Sequence, residues 1–152
     1  MRAILWITIT SLFASIAASA QSRPDSQPVE NPGLACFENL APPDYPKTAL
    51  QSLIDGSVWA TIRVNRQGAP EKIETQVVSA WSEAVKLLTS PVEKVIRAAK
   101  IKPECAGKTV TVSFRYQIFG EATADPKVTS RTVGPGLMLI ESQPALPTRR
   151  SM

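Results

Sequence analysis

The 152 residues are 43% apolar, enough for one modest core, and carry 17 Lys+Arg against 13 Asp+Glu, a formal charge of +4. The basic residues are scattered rather than striped, which excludes a nucleic-acid footprint. The complete lack of His removes the commonest general base and the commonest metal ligand together.

Residues 1–20 have the layout of a secretory signal peptide: Arg2, an apolar run from Ile4 to Ile16, and Ala18-Ser19-Ala20 before Gln21. The chain is therefore expected to be exported and cleaved before Gln21. A second reading keeps residues 3–18 as an uncleaved membrane anchor, although a span takes ~20 apolar residues. Removing Arg2 with the signal leaves a charge of about +3, a weak attraction toward anionic peptides or membrane surfaces. Residues 21–35, polar and Pro-rich with no apolar period, read as a flexible leader. Export also bears on Cys36 and Cys105, the two cysteines. An oxidising compartment makes a disulfide between them the default. It would close a loop on the order of 70 residues, worth up to ~4 kcal/mol in the chain-entropy model.

The folded unit is expected over residues 36–120. Pro46 occupies a first-turn position, Ala49, Leu50 and Leu53 share a face, and Asp55-Gly56 ends a short first helix. From Ser57 the period becomes two. Val58, Ala60, Ile62 and Val64 point one way and Trp59, Thr61 and Arg63 the other, the pattern of a strand with one buried face. Asn65 to Gly68 supplies hairpin residues, and a second strand runs from about Glu71 to Ser79. Trp81 falls in the loop after it. Both Trp59 and Trp81 are expected to bury against local structure, with an anchoring role for a partner as the alternative.

Ser90-Pro91-Val92-Glu93 has the capping-box pattern, and Val92, Val95, Ile96 and Ala99 follow at helical spacing, so a second helix is expected to start at Ser90. It should stop before Pro103. The longest strand alternates Val110, Val112, Phe114, Tyr116 and Ile118 against Thr109, Thr111, Ser113, Arg115 and Gln117. The order α-β-β-α-β predicts an α+β two-layer sandwich, a three-stranded antiparallel or mixed sheet packed on two helices. Residues 121–152 read as a flexible tail broken by one apolar run, Leu137 to Ile140. The alternative is that Gly136 to Ser142 pairs with the third strand and caps it.

Catalytic residues do not assemble. Glu71 and Glu74 would face opposite sides of a strand, no Ser or Cys has a His partner, and there is no phosphate loop or cluster of metal ligands. No enzyme activity, cofactor, metal or small-molecule substrate is expected.

The pattern as a whole resembles the C-terminal domain of TonB-type energy transducers. The likeness is carried by "PDYP" (Pro43 to Pro46), "DGSVWATIRVNRQG" (Asp55 to Gly68), "VEKVIRAAKIKP" (Val92 to Pro103) and "GKTVTVSFRYQIFG" (Gly107 to Gly120), in that order over near 80 residues. The resemblance implies a periplasmic binding module that takes the TonB-box peptide of an outer-membrane receptor by strand addition, in TonB-dependent transport. The acceptor edge would be the backbone of Thr109 to Phe119, flanked by Pro43 and Tyr45, with Thr111, Ser113, Arg115 and Gln117 tuning peptide choice. The alternative is a cell-envelope interaction or self-associating module, a homodimer for example, without energy transduction.

Overall fold

A computed structural model describes residues 33–147. The expected signal peptide or anchor, nearly all of the leader, and the last five residues lie outside the described residues. The elements in chain order are β1 (Phe37–Asn39), α1 (Lys47–Gln51), β2 (Gly56–Val64), β3 (Pro70–Val78), α2 (Ala84–Ala98), β4 (Lys100–Ile101), β5 (Thr109–Ile118), β6 (Thr129–Val133) and β7 (Leu137–Ser142). The class is α+β. Five strands form one mixed sheet in the order β3-β2-β5-β7-β6, and β1 and β4 form a separate two-stranded ribbon.

Alternation decides the inner face of the sheet. Val58, Ala60, Ile62 and Val64 of β2 and Val110, Val112, Phe114 and Tyr116 of β5 are all buried and share one core with the helices. β2 and β3 are joined as expected by a turn at Asn65–Gly68. The Asn65 side-chain oxygen accepts from the backbone N–H of Gln67 (3.0 Å) and Ala69 (2.9 Å), and Gly68 takes the positive φ of 81° that a β-carbon would oppose.

The second helix begins two turns earlier than the capping pattern at Ser90 suggests. Ala84 and Leu88 continue the stripe of Val92 and Ile96, and all four are fully buried, so burial extends the helix back through Pro91. An interior Pro forgoes the bond to the carbonyl four residues back and costs about 3 kcal/mol. Packing Leu88 at about 1.5–3 kcal/mol, with Ala84 beside it, offsets that. Glu93 does not cap. It accepts from Thr75 Oγ1 at 3.3 Å and pairs with Arg97, tying the helix to β3.

Beyond Gly120 the chain stays in the fold, where a loose tail was expected. It crosses to the far edge as β6, turns at Gly134–Gly136, and returns as β7 between β6 and β5. Met138, Leu139 and Ile140 are buried, and Ala145 donates its N–H to the Leu50 carbonyl at 3.3 Å, closing the hairpin over α1. At the other end of the chain the expected disulfide joins Cys36 to Cys105. Beside it, Lys102 donates to the Cys36 carbonyl at 2.8 Å. Gly33, at φ 52°, lies so close to the β6–β7 turn that a β-carbon would sit 2.2 Å from the Pro135 oxygen, and Leu34 N–H donates to that same oxygen at 2.6 Å.

Because Ile140 is fully buried, Ile140→Ala is expected to cost about 2–5 kcal/mol in urea unfolding. A tail outside the core would leave the midpoint where it was.

Candidate peptide-binding edge

A strand accepts a peptide only where its outer N–H and C=O groups are unpaired. β5 fails this condition over most of its length. Antiparallel β2 lies on one side, from Gly56 opposite Tyr116 to Arg63 opposite Thr109. Parallel β7 lies on the other, from Ser113 opposite Leu137 to Ile118 opposite Ser142. The turn Gly33–Cys36 packs beside β5 as well. The third strand is thus central, and the capping alternative is the arrangement the chain adopts.

The five β5 side chains named from the sequence do share the face turned away from the helices. Thr109 is exposed and Thr111 half-buried, its hydroxyl 3.5 Å from that of Thr61. Ser113 is buried, and both its N–H (2.7 Å) and its hydroxyl (3.1 Å) donate to the Gly136 carbonyl at the start of β7. Arg115 is exposed, and the Gln117 amide oxygen, in the orientation that lets it accept, sits 3.1 Å from Arg115 Nε. Ser113 therefore anchors the cap instead of greeting a ligand.

Pro43 and Tyr45 are also buried. The Tyr45 ring meets Tyr116 edge-on with centroids 5.0 Å apart, and its hydroxyl donates to the Ile54 carbonyl at 2.9 Å. Tyr45 is a core brace for the first helix. Burial pushes both tyrosines above their ordinary value near 10, with Asp55 adding to the shift at Tyr45, and Tyr45 and Asp44 adding to it at Tyr116. The Tyr116 hydroxyl, in contrast to that of Tyr45, has no hydrogen-bond partner among the described residues.

The edge that remains is β6. It pairs with β7 alone, and all five residues from Thr129 to Val133 are exposed. The Pro42–Tyr45 segment runs beside its start, and Pro42, Pro43, Asp44 and Tyr45 with Val128, Thr129 and Ser130 line a groove of about 380 Å³. β6 lacks the alternation that marks a strand. The sequence signal that could have revealed it is the Gly134-Pro135-Gly136 turn between a β-prone run and an apolar run.

The opposite edge, β3, opens on Pro70 and carries Glu71, Lys72 and Glu74, with Lys72 bound to Glu74. Proline and charge are the usual means of discouraging pairing. No helix among the described residues is long and apolar enough to cross a membrane. No family model, curated protein or solved structure matches the chain.

The two tyrosines give paired outcomes. Tyr45→Phe removes a made hydrogen bond and is expected to cost about 1 kcal/mol or more, whereas Tyr116→Phe removes an unpaired buried hydroxyl and is expected to be neutral or stabilising by thermal unfolding. Both folded-state values lie above the unfolded one, so near pH 10 the unfolded chain releases protons that the folded chain keeps. Stability is full below that value and falls as pH rises through it, which a pH series of unfolding midpoints from 8 to 11 would show.

Proposed function

We propose that the chain is an exported binding module of the TonB C-terminal type that takes an extended peptide by strand addition at β6. The peptide is of the kind an outer-membrane receptor presents as its TonB box. The observation that carries this reading is the fully exposed β6 edge beside the Pro42–Tyr45 groove. The reading is further supported by the position of β6 at the outer edge of the sheet, paired on one side only, with the groove next to it.

Magnitudes favour β6 over β5 as acceptor. Freeing β5 would expose Met138, Leu139 and Ile140, about 1.5–3 kcal/mol each and therefore roughly 5–9 kcal/mol in all, an upper estimate. A short peptide of micromolar affinity gains about 8 kcal/mol. Competition for β5 would leave such a peptide with almost no net affinity, while β6 asks for no displacement.

The second reading is an envelope module that pairs β6 with β6 of another copy. Arg131 stands at the centre of the strand, so a two-fold pairing about it would oppose two arginines. A foreign peptide avoids that repulsion.

Titration of the full chain with TonB-box peptides, followed by amide chemical shifts, should move Asp44, Tyr45 and Thr129 to Val133. Ser130→Trp, which fills the groove from an exposed position, should weaken binding about tenfold. Absence of binding at high micromolar peptide with the fold intact, or shifts confined to β3, would remove the proposal.

A further inference from the structure

The helices cover one side of the sheet; on the other, where Ser113 and Leu139 are buried, several large side chains stay exposed among the described residues. On it Trp59 is 49% exposed, Val78 67% and Val133 40%, so the burial expected for Trp59 does not occur. Strand register sets Trp59 opposite both Gln76 and Ser113, Ser113 opposite Leu137, and Leu137 opposite Val133. One row across five strands thus runs through an indole, short polar groups and two aliphatic side chains.

Charge on this face is one-sided. Arg63, Lys72, Arg115 and Arg131 share it with Glu74 and Glu141, and each acid is held by a cation of the same face, Lys72 and Arg131 respectively. Among the described residues Arg63 and Arg115 make no ion pair, and they stand on either side of Trp59 along the sheet. Arg63 also lies directly opposite Lys72, a like-charge pairing that costs stability where nothing anionic relieves it. Glu74 is the acid beside this pair: it is bonded to Lys72 and also feels the charge of Arg63, so two cations share one carboxylate.

The shape of the face narrows the choice of occupant. Its depression, lined by Thr61, Arg63, Lys72, Glu74 and Thr109, holds about 210 Å³, below the roughly 300–1,000 Å³ of a small-molecule site. A broad surface with a half-exposed indole and long cations suits a planar anionic partner. Tryptophan settles at the headgroup level of a bilayer, and Arg and Lys lay their stems on apolar surface while reaching phosphate.

We propose that this helix-free face docks the protein on an anionic lipid bilayer, with Trp59 entering the headgroup layer and Arg63 and Arg115 holding lipid phosphates. The helices and the Pro42–Tyr45 groove then lie on the side away from the membrane.

The test is vesicle flotation of the full chain at low salt, with phosphatidylcholine alone and with phosphatidylcholine and phosphatidylglycerol at 3:1. Residues 3–18 are common to every variant, so differences between variants read the face. The parent should prefer the phosphatidylglycerol vesicles. Each basic side chain near an anionic surface is worth about 1 kcal/mol, so R63E/R115E should lose tenfold or more of that binding, and W59A several-fold. Both variants alter exposed side chains, and circular dichroism checks that each is folded. Equal binding to the two vesicles, or an R63E/R115E protein that floats like the parent, would overturn the proposal. So would a dimer in solution that W59A dissolves, which would assign the face to a second copy.

Discussion

The backbone of β5 from Ser113 to Tyr116 pairs with β2 on one side and with β7 on the other, and the remaining elements take their places from that double pairing. β2 brings β3 and the helix that rests on both, and β7 brings β6 to the outer edge. Tyr116, near the C-terminal end of β5, meets Tyr45 and so fixes the segment leading into α1. A sheet that ended at β5 would present a long unpaired strand to its surroundings, and such an edge invites indiscriminate pairing. The chain's own hairpin closes that edge and offers a shorter, polar one in its place.

The cap is held from several directions. Ser113 binds the Gly136 carbonyl twice, Leu34 binds the Pro135 carbonyl, and the backbones of Leu50 and Ala145 join the far end to α1. Gly33 allows the closest of these approaches. Three residues beyond it, Cys36 is bonded to Cys105, so the segment that touches the hairpin turn is itself fixed to the loop before β5. The binding edge proposed at β6 therefore sits on a braced hairpin whose strand is already extended, which lowers the ordering cost of adding a peptide.

Much of this was legible in the residues, for a physical reason. Where a strand has one buried face, alternation writes its register into the sequence, as in Val58 to Val64 and Val110 to Tyr116. The hairpin escaped because its two strands lack that contrast. β6 is exposed on every residue, and in β7 Met138 and Ile140 enter the main core while Leu139 is buried outside it, so the run reads as continuous. At Ser90 a good local capping signal yields to Ala84 and Leu88, whose burial is a tertiary matter. Alternation tells which β5 side chains share a face, but whether a strand's backbone is free depends on a partner more than twenty residues away, which no local pattern encodes.

Amide hydrogen exchange of Ser113 to Tyr116 in the intact chain bears most directly on the central claim that β5 is closed on both sides. The double pairing predicts that these amides exchange as slowly as Ala60 to Ile62 in the paired interior of β2, opening only with the whole fold. Exchange as fast as that of Thr129 to Val133 at the outer edge would mean that β7 does not hold β5, and the account given for the cap and for the β6 edge would fall with it.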